Sequence, residues 1–417
     1  MNSHMKKYIL ALITFTVFNF SNAQETEVVI IPGQDSRVIT TAVPFMLIAP
    51  DARSAGMGDM GVATSVDAYS QQWNAAKYTF SEAKSGIAVS YTPYLSKLVN
   101  DISIAYLTYF NRIDDRSSFG VSFKYFGLGE IEIRPDEFSE PLIEKPNEFS
   151  VDASYSLRLA NQFSMAVALR YLRSDLRIQA VDANASAAGS FGVDISGFYQ
   201  SEEEAYDSFN GRTRFGFAIQ NLGPKIKYDD GGRENFLPTN LRLGAGFDFI
   251  FDEYNKLAVT AEFTKLLVPT PPQIGTRIEY EESGDNPGYQ EGEDEIVSED
   301  NNFIIAGKSN DVGFMKGVFQ SFSDAPGGFS EELKEITWAL GAEYLYQDSF
   351  AFRAGYFHES DEKGARKFFA MGAGFKYTTI NIDLSYLFSA SKIQSPLENT
   401  LRFSLTFNFG DGEYDEY

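Results

Sequence analysis

The sequence predicts an all-β protein, a 14-stranded antiparallel transmembrane β-barrel preceded by an N-terminal plug segment. Three observations predict it. The stretch TLRFSLTFNF, residues 400–409, alternates without a break: Leu401, Phe403, Leu405, Phe407 and Phe409 share one face, and Arg402, Ser404, Thr406 and Asn408 the other. Ten residues with one apolar and one polar face suit a strand that has lipid on one side and a wet lumen on the other. The same alternation recurs along the chain, and the connections alternate between short and long. Composition agrees: Phe 37, Tyr 23 and Gly 34 in 417 residues, with a mean hydropathy of −0.23. The apolar residues are therefore interleaved with polar ones rather than gathered into membrane helices.

Residues 1–23 read as a signal peptide. Lys6 and Lys7 precede an apolar run from Tyr8 to Phe20, and Ser21-Asn22-Ala23 supplies small residues for cleavage. The run is too short to span a bilayer as a helix. Residues 24–85 lack long alternation and read as a periplasmic or luminal plug segment. They contain the small-residue run PDARSAGMGDMGVATSVDAYSQQWNAA, with a short helix expected over 66–76.

The barrel is expected over 86–409. Its strands fall at 86–94, 101–111, 117–127, 149–160, 162–172, 190–200, 212–222, 239–251, 255–267, 335–346, 349–358, 366–377, 379–388 and 399–409. Joints after even-numbered strands are mostly tight: Asn161, Asp252-Glu253-Tyr254, Gln347-Asp348 and Thr378. Those after odd-numbered strands include 128–148, 173–189, 223–238 and 268–334. This asymmetry is that of bacterial outer-membrane barrels, which puts the long loops outside. The short turns, both termini and the acidic tail 410–417 are then expected on the periplasmic side. Small residues recur at inward positions (Gly216, Ala218, Gly244, Gly246, Gly341, Gly355, Gly372, Gly374) and favour a lumen partly filled by the preceding segment. Inward charges of both signs accompany them: Asp152, Arg158, Arg170, Asp194, Arg214, Arg242, Asp248, Glu262, Glu343 and Arg353.

A net charge of −23 argues against nucleic acid as a partner. The chain has no cysteine, and beyond the signal segment a single histidine, His358, whose surroundings resemble no nucleophile motif. No catalytic, cofactor or metal site is expected. The acidic run 281–300 lacks the EF-hand register and reads as solvated, disordered acid. The second half of that loop differs. Phe314, Met315, Val318, Phe319 and Phe322 have the spacing of an amphipathic helix, ended by Pro326-Gly327-Gly328 and followed by Phe329. Such a stripe either packs on the barrel mouth as a lid or binds a protein partner, and one face can do both. Lys225, Lys227 and Arg233 form a secondary candidate in the loop 223–238.

The run Asp51-Ala52-Arg53-Ser54-Ala55-Gly56-Met57-Gly58, then Gly61-Val62-Ala63 and Trp73-Asn74-Ala75-Ala76, resembles the N-terminal signature of PorV proteins, within the FadL-like barrel superfamily. Asp51, Arg53, Gly56, Gly58, Gly61 and Asn74 carry that signature. FQSFSDAPGGF, residues 319–329, extends the resemblance. Transporter-like FadL relatives have Asn-Pro-Ala where this chain has Asn74-Ala75-Ala76, and without the proline the turn loses its fixed φ. The resemblance implies an outer-membrane role in the type IX secretion system of Bacteroidota. The partners it implies are a SprA-type translocon barrel, the C-terminal signal domains of secreted cargo, an attachment complex of PorU, PorQ and PorZ, and outer-membrane lipid. Residues 314, 315, 318, 319, 322 and 329 are the expected contacts with translocon or cargo. The alternatives are a FadL-type transporter of hydrophobic solutes, which needs an apolar luminal pocket and a gap in the wall, and an open porin.

Overall fold

The computed structural model describes residues 27–33, 36–95, 99, 101–134, 140–177, 186–229, 232–281, 289–291, 294–390 and 400–410. The expected signal peptide and residues 411–417 of the tail lie outside them. The chain forms two compact units.

The larger unit, Arg37–Pro271 with Lys308–Tyr417, contains a closed antiparallel ring. Its strands are β1 (Ser85–Pro93), β2 (Ile102–Arg112), β3 (Ser117–Leu128), β4 (Asn147–Ala160), β5 (Phe163–Asp175), β6 (Ala188–Gln200) and β7 (Asn210–Leu222). They continue with β8 (Asn240–Ile250), β9 (Asn255–Leu266), β10 (Ile336–Tyr346), β11 (Phe350–His358), β12 (Lys367–Tyr377), β13 (Ile380–Ser389) and β14 (Leu401–Phe409). Each pairs with its neighbour in sequence, and β14 closes on β1 from Ser85↔Phe409 to Tyr91↔Phe403. A two-residue strand, Glu204–Ala205, adds to the edge of β7 within a turn. All fourteen expected strands are present.

Alternation sets which way each side chain points. In β14, Leu401 is 56% exposed while Arg402 is 1% exposed. Outward Leu169, Phe191, Phe215, Leu243, Phe263, Phe352 and Phe369 are likewise exposed, forming the apolar band that lipid covers. Among the described residues no helix is long and apolar enough to cross a membrane.

Inside the ring runs the segment 42–84. It touches inward groups around the circumference: the Ser90 hydroxyl on β1 donates to the Pro50 carbonyl (2.8 Å) and Ser156 on β4 to the Ala75 carbonyl (2.7 Å). Ser164 on β5 donates to the Ala76 carbonyl (2.7 Å), and Ser404 on β14 accepts from the Ala52 N–H (2.8 Å). The expected helix over 66–76 is only Ser70–Trp73, because Asn74 is extended (φ −163°) and its side chain caps a 3-10 helix, Ala75–Phe80.

Within this unit the segment runs from one rim of the ring to the other. Arg37 pairs with Glu331, and the Ala42 N–H donates to the Phe236 carbonyl, both in long loops. Lys84 then meets Phe409 at the opposite rim. The N-terminal end of this unit is therefore at the long-loop rim and the C-terminal end at the short-turn rim.

The smaller unit is a three-stranded sheet of Glu27–Pro32, Gln273–Glu281 and Glu295–Ala306, with Gln273–Glu281 in the middle. Residues 27–32, part of the expected periplasmic or luminal segment 24–85, pair in this sheet. Residues 295–300, expected as disordered acid, are in strand. Ile296, Val297, Phe303, Ile304 and Ile305 give that stretch enough β-forming residues to pair.

Candidate functional site

The luminal segment is fixed by charge. Arg53 donates to both Glu343 oxygens (3.0 and 2.7 Å) and to Asp67 Oδ2 (2.9 Å). Arg353 bridges Glu343 and Asp383, each at 2.7 Å. Glu262 Oε2 accepts the Gly61 and Val62 N–H groups (2.8 and 2.9 Å), while its other oxygen accepts from Arg242 (2.9 Å). Asp51 caps the helix Ala52–Gly56 through the Ser54 N–H (2.8 Å) and accepts from Trp73 Nε1 (3.0 Å). Asn74 Nδ2 joins the Val62 carbonyl to the Gly197 carbonyl of β6 (3.0 and 2.9 Å). Buried charges paired and hydrogen-bonded in this way are costly to break.

The signature glycines act by close approach. A Cβ on Gly61 would overlap the Trp73 ring, one on Gly56 would sit 3.1 Å from Gly372 Cα, and Gly58 has φ +89° against the Tyr356 carbonyl. Facing them, a Cβ on Gly216 would overlap the Val62 carbonyl, and one on Gly355 the Met57 carbonyl. Arg53, Gly56, Gly58, Gly61 and Asn74 are thus contacts between segment and wall, whereas Asp51 ties the segment to itself.

At the long-loop rim, two short helices, α1 (Phe314–Gln320) and α2 (Phe329–Lys334), carry the aromatic candidates. The expected stripe divides in two. Phe314 and Val318 are half-buried, and Gly317 packs on Phe236, where a Cβ would lie 2.6 Å from the ring. Met315, Phe319 (71%), Phe322 (50%) and Phe329 (77%) face outward, joined by Leu333. Lys225 lies over the Phe236 ring (4.5 Å), so it comes to the same place; Lys227 and Arg233 remain exposed on the loop between.

Sequence reasoning missed what holds α2. Lys265 of β9 donates to Glu332 (3.0 Å) and Glu335 (2.6 Å). Lys363 donates to Glu331 (2.7 Å) and Glu335 (3.0 Å), and Arg37 Nε donates to Glu331 (3.0 Å). Three cations from three separate segments thus converge on one short helix. Burial works against the Glu331 carboxylate, but Arg37, Lys363 and the Gly327 N–H outweigh it and hold its pKa down to about 2. Asp324 moves the other way, up to about 6, through burial and the neighbouring Glu332 and Glu335 carboxylates. The only early signal was the acidic run Glu331-Glu332-Leu333-Lys334-Glu335, which names no partner.

At the short-turn end a cavity of about 590 Å³ is lined by charged groups, among them Arg53, Arg214, Asp248, Glu343, Arg353 and Asp383. Among the described residues no group of His, Asp or Glu is placed to hold a metal ion.

Among solved structures, the chain is similar to the Ralstonia pickettii toluene transporter TbuX, with 10% identity, coverage of 88% of this chain and 100% of that one, and a TM-score of 0.47. The Pseudomonas putida toluene transporter TodX gives 11% identity, 89% and 98% coverage, and a TM-score of 0.46. A Pseudomonas aeruginosa FadL homologue gives 12% identity, 90% and 100% coverage, and a TM-score of 0.40. No curated protein matches the chain in sequence. The family model for the type IX secretion system protein PorV matches residues 31–273, more than half of the chain, and the chain belongs to that family of outer-membrane barrels.

Proposed function

We propose that the chain is a non-enzymatic adaptor. It binds the C-terminal signal domains of exported cargo at a SprA-type translocon barrel and carries them to a surface attachment complex containing PorU, PorQ and PorZ. The observation that carries this reading is the outward face of α1 and α2. Phe319, Phe322 and Phe329 are at least half exposed, yet α2 is pinned by Lys265, Lys363 and Arg37, and α1 rests on Phe236 through Gly317. A rigid, exposed aromatic cluster is the arrangement of an interface anchor. It lies beyond the residues that the family model matches, so its assignment rests on geometry.

The lumen supports an adaptor over a hydrophobic-solute transporter. Its inward ionic groups include Glu343 and Glu262, bonded to the segment 42–84, which we read as a plug, and inward apolar groups such as Tyr106, Phe110, Phe126 and Phe198 pack on that same segment. Apart from a shift at Arg158/Ala160 beside the tight turn after β4, the register shift in the described wall lies between β6 and β7 at Ile219/Leu222, beside Asn221 (φ +58°). Arg170, Asp194 and Asn221 fill it: the Asn221 N–H donates to Asp194 (2.7 Å), and Arg170 pairs with Asp194 (3.0 Å). An apolar solute would have to displace these charges.

The test replaces the chromosomal gene with the F319S/F322S variant and measures cargo on the cell surface by protease shaving of intact cells. Surface cargo should fall to background while heat-modifiable gel mobility shows a folded barrel. Normal surface cargo with that variant would remove the aromatic cluster from the pathway.

A further inference from the structure

Beside the exposed face of α1 lies a groove of about 620 Å³, lined by Lys308, Ser309, Val312, Lys316, Phe319 and Gln320. Its volume is in the range that encloses a ligand group or a few residues of a peptide. Gln320 Nε2 donates to the Ser309 carbonyl (2.8 Å) and closes one end. The Lys308 ammonium is steered by a hydroxyl, Ser323 Oγ at 2.9 Å, and Lys316 is exposed. The carboxylates nearby are Asp311, fully exposed and 3.9 Å from Lys225, and Asp324, which turns away to accept from Gln320 (3.4 Å) and the Thr270 N–H (3.2 Å). In a chain of net charge −23, a groove edged by the ammonium groups of Lys308 and Lys316 and floored by Val312 and Phe319 runs against the surrounding charge.

We infer that this groove takes an extended acidic peptide segment bearing one apolar anchor. The lysines pair with flanking Asp or Glu, and the anchor lies on Phe319 and Val312. The inference rests on the docking role proposed for this loop and adds the chemistry of what docks. Charge complementarity selects the occupant: an apolar peptide leaves the lysines unused, and a basic one is repelled.

The test uses the purified full-length mature protein in mild detergent and a fluorescein-labelled peptide of Asp and Glu residues around a single Phe. Fluorescence anisotropy should show saturable binding that weakens about tenfold in K308E/K316E and also weakens as salt is raised. A peptide with Lys in place of each acid should not bind. Both lysines are exposed or held by a single hydroxyl, so the variant should keep the wild-type heat-modifiable gel shift, which is checked alongside. Equal binding to wild type and K308E/K316E, or no saturable binding at all, would overturn the inference. Loss of peptide binding combined with capture of vesicles containing phosphate-bearing lipid would assign the groove to a membrane surface and would also overturn it. Retained peptide binding by a protein that captures no translocon barrel in cells would leave the groove's chemistry standing and count against the secretion role alone.

Discussion

At Gly355 the luminal segment and the wall come too close for any side chain, because an added Cβ would fall on the Met57 carbonyl. Gly244 is similar, with a Cβ position 2.6 Å from Val62 Cγ1, and at Gly246 it would be 3.1 Å from the Ala63 carbonyl. Leucine at 244 and 246 together should therefore block assembly, read as loss of the heat-modifiable species and of surface-exposed protein. Gly313→Ala is the control, since nothing lies within 4 Å of its Cβ position and its φ is −62°. It should change stability by less than about 0.5 kcal/mol. Charge is equally constrained. Glu262→Ala strands Arg242 and two N–H groups in the lumen, and should cost about 3–5 kcal/mol in urea unfolding from detergent or lipid. The small inward residues were legible in the sequence as close approaches. Their counterparts in the segment were not, because Val62 and Met57 are brought to Gly216 and Gly355 only by the path of the chain through the ring.

Helices of six or seven residues do not hold themselves in water. α1 and α2 persist because Gly317 packs on Phe236 and because three cations grip the acids of α2. The clasp has a definite pH dependence. Glu331 has its pKa lowered on folding, so its contribution is present above the ordinary carboxylate range and is lost as pH falls from about 4 toward 2. Asp324 has its pKa raised, so the folded loop favours its protonated form and loses that contribution as pH rises from about 4 through 6. Hydrogen-exchange protection of 324–335 should therefore be greatest near about pH 4 and decline toward pH 6. Asp324→Asn should flatten the alkaline decline by on the order of 1 kcal/mol after allowing for solvent. Glu331→Gln should lower protection at every pH above about 4 by roughly 2 kcal/mol. The aromatic spacing announced α1, but not which half of the stripe would be buried. Periodicity finds a helix, whereas the burial of Phe314 and Val318 depends on Phe236 and the barrel rim. The clasp itself was invisible, since Arg37 and Glu331 are 294 residues apart.

For the whole molecule, lipid imposes one rule on every strand, and that rule is written residue by residue as alternation. This is why fourteen strands and their loop asymmetry could be read before any contact was known. The route of the N-terminal segment carries no such signature, because a non-repeating run reads the same whichever rim it starts from. It can be tested directly, as the chain has no cysteine to interfere. A membrane-impermeant maleimide should label V38C on intact cells, and should label E253C, in a short turn, only after the outer membrane is opened. The reverse pattern would invert the barrel's orientation. The central claim concerns what the aromatic face holds. The most direct measurement is to tag the mature C-terminus, extract the protein from native membranes in mild detergent and identify what co-purifies. The account predicts a large translocon barrel or exported proteins sharing a C-terminal domain, lost when the outward-facing Phe319, Phe322 and Phe329 are changed to Ser. Recovery of the barrel alone with bound fatty acid, unchanged by those substitutions, would contradict it.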